Sequence, residues 1–179
     1  FLTIKKVARG SGSFELALNR VLHYKFFRGF RMSEELLQFT DKILIVDDNA
    51  VNRKLLAGIL KKEGYWLIEA CDGEQAVELA AREHPDLILL DIMMPKMDGY
   101  QACVEIKKNP AAIDTPIIFL SAKTEAKDKI KGLELGASDY VTKPFDRGEV
   151  LARVRSQLKI HHLTKKLIQA NEELVKKQK

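Results

Sequence analysis

The stretch DLILLDIMMPKMDGY, Asp86 to Tyr100, decides how the chain folds. Leu87-Ile88-Leu89-Leu90 is an unbroken apolar run with no polar alternation, as a strand covered on both faces requires. It ends on a carboxylate, Asp91, followed by Met93, Met94 and Pro95. An ionised carboxylate held out of water costs several kcal/mol unless a partner meets it. The partner has to come from elsewhere in the chain.

Outward from this run, short apolar segments alternate with helical patterns. Ile43-Leu44-Ile45-Val46, Trp66-Leu67-Ile68-Glu69-Ala70, Pro116-Ile117-Ile118-Phe119-Leu120 and Asp139-Tyr140-Val141 read as four further strands. Between the strands, residues 51–63, 74–82, 100–108 and 125–135 have helical length, with apolar residues three or four apart. In the first of these, Val51, Leu55, Leu56, Ile59 and Leu60 form one stripe. Gly64 and Gly136 stand where helices end in the left-handed conformation, which glycine adopts without a Cβ clash. Asp98-Gly99 reads as turn chemistry and a helix start.

Five such units with near-continuous apolar strands imply an α/β fold, a doubly wound parallel sheet covered by helices on both faces. Right-handed crossovers bring every strand-to-helix loop to one edge, the carboxyl ends of the strands, where open α/β folds bind ligands. That edge collects Asp47 and Asp48 after the first strand, Asp91 after the third, Ser121 after the fourth and Lys143 after the fifth. Clustered carboxylates repel one another unless a cation sits between them. Oxygen donors without nearby His or Cys suit Mg²⁺ or Mn²⁺ rather than zinc. Lys143, followed by Pro144, can pair with an anion, so the edge outlines a place for a divalent metal and a phosphoryl group.

ILIVDDN, LILLDIMMPKMDGY, PIIFLSA and ASDYVTKPF together resemble the receiver domain of two-component response regulators, motif for motif and in order over about residues 41–158. The resemblance implies a flavodoxin-like (βα)5 sheet of strand order 2-1-3-4-5. It implies that Asp91 is the phosphoacceptor, taking a phosphoryl group from a sensor histidine kinase or phosphotransfer protein. Asp47, Asp48 and Asp91 resemble the family's Mg²⁺ site, with the backbone carbonyl of Met93 as a further ligand. Lys143 resembles the lysine that holds the phosphoryl oxygens, Ser121 the hydroxyl that turns toward them, and Tyr140 the aromatic switch that follows Ser121. A receiver domain is a phosphoacceptor rather than an enzyme acting on a separate substrate. Met93 and Lys123, each two residues after a site residue, stand where the family varies and where the hydrolytic water approaches, so phosphoryl lifetime is expected to be tuned there.

Composition agrees. At 179 residues, with 46% hydrophobic and 31% charged, the chain has room for one domain with a sizeable core plus appendages. Two cysteines, Cys71 and Cys103, lack a CxxC spacing and suit small core positions in a reduced, cytoplasmic setting. No run approaches the roughly 18 apolar residues that span a bilayer. The net charge of +5 divides unevenly: residues 1–31 hold seven basic and one acidic residue, and 153–179 hold eight and two. The segment 32–152 holds 15 basic and 22 acidic residues, a net −7, which argues against direct nucleic-acid binding by the domain itself.

The expected organisation is an N-terminal extension over 1–40, a receiver domain over 41–158 and a helical extension over 159–179. Met32 looks like a natural start, and Phe14, Leu18, Val21 and Leu22 have the spacing of a short basic amphipathic segment to which no function is given. At the other end, Val154 and Leu158 suit packing on the sheet, and Ile160, Leu163, Leu167, Ala170 and Leu174 continue at a 3,4,3,4 spacing, a candidate coiled-coil seam. That helix resembles the signalling helix that leads from receivers into output domains. A homodimer through the family's fourth helix, fifth strand and fifth helix, extended by the C-terminal helix, is expected. His161-His162 lacks the acidic residue and proline that follow a phosphorylated histidine in kinases. A haloacid-dehalogenase-type phosphatase would also use an Asp after an apolar strand, but it needs a second Asp two residues on, where Met93 stands.

Overall fold

The computed structural model describes residues 41–122 and 132–177. The expectations for residues 1–40, for most of the helix over 125–135 and for Lys123 therefore fall outside the described residues.

Five strands form one parallel sheet: β1 (Lys42–Val46), β2 (Trp66–Ala70), β3 (Leu87–Asp91), β4 (Ile117–Ser121) and β5 (Asp139–Thr142). Their order is β2-β1-β3-β4-β5, every neighbouring pair parallel. This is the flavodoxin-like order the resemblance implies. Two boundaries differ usefully from the apolar runs: β3 includes Asp91 and β4 includes Ser121, so both are held in the ladder rather than in a loop.

Four described helices accompany the strands: α1 (Ala50–Lys61), α2 (Gly73–Glu83), α3 (Gly99–Lys108) and α4 (Arg147–Lys177). The last is the fifth helix of the expected order. The starts follow local chemistry. Asn49 caps α1 by accepting from the Val51 amide at 2.8 Å, and Asp72 caps α2 by accepting from the Gln75 amide at 2.8 Å. Asp98 and Gln101 form a reciprocal capping box at α3. Gly64 and Gly136 have φ of 92° and 94°, the left-handed turns the sequence calls for.

Alternation along the strands divides the core. Leu44, Val46, Ile88, Leu90, Ile117 and Phe119 face α2 and α3, including Ala76, Ala80, Ala102, Cys103 and Ile106. Ile43, Ile45, Leu87, Leu89, Ile118 and Leu120 face α1 and α4 through Leu56, Ile59, Leu60, Val150, Val154 and Leu158. Within the expected α1 stripe, Val51 and Leu55 are exposed at 72% and 48%, so only its second half is core. Of the two cysteines, Cys103 is buried but Cys71, just past the end of β2, is exposed.

Helix α4 has 31 residues, about 46 Å at 1.5 Å per residue. It stays docked past Leu158: His161 is buried, and His162 Nε2 lies 2.9 Å from Asp41 Oδ1 at the amino end of the sheet. Lys165 lies 3.5 Å from Asp86 beside it. On the other side of the same helix Leu163, and beyond the docked part Leu167 and Leu174, are exposed. Among the described residues no helix is long and apolar enough to cross a membrane.

Gly99 ties the fold to the site. Its amide donates to the Ile92 carbonyl at 3.0 Å, bringing the start of α3 against the end of β3. A Cβ there would strike the Asp91 carbonyl oxygen and come within 2.8 Å of Ile92 Cα, both backbone atoms with nowhere to move. Gly99→Ala is expected to lower stability in urea unfolding by about 1–3 kcal/mol, the cost of overpacking; an unchanged midpoint would show that the loop yields freely.

Candidate functional site

The carboxyl edge of the sheet assembles the residues the sequence singles out. Asp47 follows β1 directly, Asp91 is the last residue of β3, Ser121 the last of β4, and Lys143 follows β5. Asp47 is fully buried and Asp91 is 2% exposed, whereas Asp48 is exposed at the rim. One ammonium serves both buried carboxylates: Lys143 Nζ lies 2.8 Å from Asp47 Oδ2 and 2.7 Å from Asp91 Oδ2.

The reach matters. Adjacent strands lie about 4.8 Å apart, so a side chain from β5 must pass over the end of β4 to meet β3 and β1. Lysine is long enough, and β4 ends there on the small Ser121, whose carbonyl accepts the Lys143 amide at 2.7 Å. Tyr140 is half-buried on β5, with the Arg153 guanidinium 5.4 Å from its ring centroid. Ser121 and Tyr140 line one small cavity with Ile92 and Phe119.

Further contacts hold the carboxylates. Asp91 Oδ1 accepts the Met93 amide at 3.3 Å. Asp47 Oδ1 accepts the Asn49 amide at 2.9 Å, and both Asp47 oxygens lie within about hydrogen-bond reach of Asn52 Nδ2, at 3.1 and 3.0 Å. Arg53 fixes the backbone of the same loop, donating to the carbonyls of Asp47 at 2.7 Å and Asp48 at 3.2 Å while its Nε meets Glu69 at 3.3 Å. Asn52 and Arg53 are absent from the sequence-derived set. Two polar residues in the first turn after Asp47-Asp48 were the available signal, since that turn must lie against the loop preceding it. Of the three methionines that follow β3, Met94 is buried, Met97 is packed against the core and Met93 is 62% exposed.

The electrostatics follow from this packing. Burial pushes the Asp91 carboxyl above its ordinary value, with Lys143 offsetting part of the rise and the charge of Asp47 adding to it. Burial alone would lower the Lys143 ammonium, but its hydrogen bonds to Asp47 and Asp91 outweigh that and hold it above the usual lysine value.

Carboxylate oxygens of Asp47, Asp48 and Asp91 come within 4.8 Å of one another. Three hard oxygen donors at that separation, with no sulfur or imidazole among them, fit Mg²⁺ or Mn²⁺.

Residues 43–155 match the response regulator receiver domain family. The chain belongs to that family, as the receiver domain of a two-component response regulator. It is 50% identical over 119 residues to the "probable transcriptional regulator ycf27" of Porphyridium aerugineum, covering 66% of this chain and 48% of that protein, and 50% identical over 123 residues to the protein of the same name from Guillardia theta, covering 69% and 47%. The chain thus spans about half the length of these relatives. Among solved structures, it resembles the receiver domain of a sensor histidine kinase from Pseudomonas aeruginosa PAO1, which holds a magnesium ion in its active-site cleft, with 36% identity, a TM-score of 0.63, and coverage of 67% of this chain and 98% of that one. It also resembles the chemotaxis response regulator CheY4 of Vibrio cholerae, with 29% identity, a TM-score of 0.64, and coverage of 66% and 98%.

Because the folded state raises the Asp91 pKa, its contribution to stability is fullest below the ordinary carboxyl range and is lost as pH rises through the raised value. At neutral pH in EDTA, Asp91→Asn is therefore expected to melt at a higher temperature than the parent. The gain should narrow as pH falls into the range where Asp91 takes up its proton. A lower melting temperature at pH 7 would contradict this account.

Proposed function

We propose that this domain is a phosphorylation-controlled switch in which Asp91 accepts a phosphoryl group from the phosphohistidine of a sensor histidine kinase or phosphotransfer protein. The observation that carries the reading is the Lys143 ammonium shared by Asp47 and Asp91, beside a third carboxylate at the sheet edge. An Asp91 oxygen attacks phosphorus; the new P–O bond forms as the P–N bond breaks, and its electron pair stays on the imidazole nitrogen. Asp47, Asp48, Asp91 and the Met93 carbonyl would hold Mg²⁺, with Mn²⁺ as a substitute. When bound, the cation neutralises charge on the transferring oxygens.

The remaining steps belong to the chain. Lys143 already contacts the attacking carboxylate and turns to the phosphoryl oxygens once they arrive. Ser121 follows from the end of β4, and Tyr140 moves against the cavity they share, which alters the surface around β5 and α4. In this reading the domain is a phosphoacceptor in a cytoplasmic phosphorelay rather than an enzyme acting on a separate substrate. It signals through a homodimer built on the helix before β5, β5 itself and α4. The exposed Ile160, Leu163, Leu167 and Leu174 on α4 support the extension of that interface as a coiled coil. The domain makes no direct nucleic-acid contact, consistent with its net −7 over residues 32–152.

Incubation with a small phosphodonor and Mg²⁺, followed by intact-mass measurement, is expected to show one added phosphoryl group that is absent in Asp91→Asn. In the same time course Met93→Asn should change the rate at which that mass decays. Addition that persists in Asp91→Asn, or multiple turnover of a phosphomonoester, would overturn the switch; equal decay would remove Met93 from its control.

A further inference from the structure

Asn52 stands in the first turn of α1, and the phosphoacceptor chemistry makes no use of it. Its side-chain nitrogen is 3.1 Å from Oδ1 and 3.0 Å from Oδ2 of Asp47. A carboxylate only accepts, so the amide must present its NH₂ group here. Asp47 is fully buried, and its other two contacts each involve a single oxygen: the Asn49 amide on Oδ1 at 2.9 Å and Lys143 on Oδ2 at 2.8 Å. These four contacts use about the four acceptor sites a carboxylate offers, so a cation would bind Asp47 in the place that Lys143 occupies.

The donors differ in what they constrain. Asn49 and Lys143 would each allow the carboxylate to turn about its bond to Cβ. Asn52 reaches both oxygens at nearly equal distances from a helix, so it holds the carboxylate group in place from the α1 side whichever oxygen Lys143 takes. Lys143 is also shared with Asp91, so it cannot hold Asp47 without reference to the phosphoacceptor.

We propose that Asn52 is a positioning residue for the divalent cation: by holding both oxygens of Asp47 from α1 it keeps that carboxylate beside Asp48 and Asp91 when Lys143 turns away. The inference rests on the reading of Asp47, Asp48 and Asp91 as the cation site. Groups that orient a metal-binding carboxylate from behind are worth about 10–100-fold in metal affinity.

The test is a double-mutant cycle on the full, unphosphorylated chain, with Mg²⁺ affinity read by titration calorimetry. Asn52→Leu is expected to weaken Mg²⁺ binding about tenfold in the parent. In an Asp47→Asn background the same change should weaken it less than about twofold, because its effect runs through Asp47. A general packing role would give equal losses in both backgrounds, and that result overturns the proposal, as does Asn52→Leu binding indistinguishable from the parent. Should Asn52→Leu lose its helical circular dichroism, Asn52→Ser is carried through the same cycle with the same two outcomes. Parent protein that takes up no Mg²⁺, or Asp91→Asn that binds it as tightly as the parent, would instead sink the cation-site reading, and the role of Asn52 with it.

Discussion

Two buried carboxylates sharing one ammonium is the constraint on which the rest of this structure depends. Asp47 and Asp91 end neighbouring strands, and leaving either without a partner would cost several kcal/mol. Lys143 answers both from two strands beyond Asp91, so β5 has to stand on the far side of β4 and β4 has to end on something small. The parallel order, the position of Ser121 and the long side chain at 143 thus belong to one arrangement. Gly99 is part of it too, because only a residue without Cβ lets α3 start against the Asp91 carbonyl.

The arrangement is poised rather than settled. Burial disfavours charge on Asp91, and the ammonium that compensates it is also the group best placed to receive an incoming anion. A neutral core at this edge would have been simpler for folding. A carboxylate kept buried and raised in pKa, with a cation beside it, fits a site where charge is meant to change.

Much of this was legible in the sequence, for identifiable reasons. Strands buried on both faces leave unbroken apolar runs, and a helix start can leave an Asp, so the elements and their order could be read from residues such as Leu87–Leu90 and Asp98. Right-handed crossovers then brought Asp47, Asp91, Ser121 and Lys143 to one edge without further information. What escaped depends on how far the sheet extends beneath each side chain. Periodicity gave the direction of the α1 stripe but not that Val51 and Leu55 would remain uncovered. Asn52 and Arg53 look like an ordinary polar first turn until the loop before them is folded back to meet them. His161 and His162 were read mainly as a motif to exclude, yet at the opposite end of the sheet His161 is buried and His162 pairs with Asp41, more than a hundred residues away, which docks α4 there.

A crystal structure of the protein with Mg²⁺ and beryllium trifluoride, a stable mimic of the phosphoryl group, would test the central claim most directly. The account predicts the mimic on an Asp91 oxygen, with Lys143 Nζ moved onto a fluorine while Asp47 keeps its contacts to Asn49 and Asn52. A mimic on another carboxylate, or Lys143 still bridging Asp47 and Asp91 with the mimic in place, would contradict it.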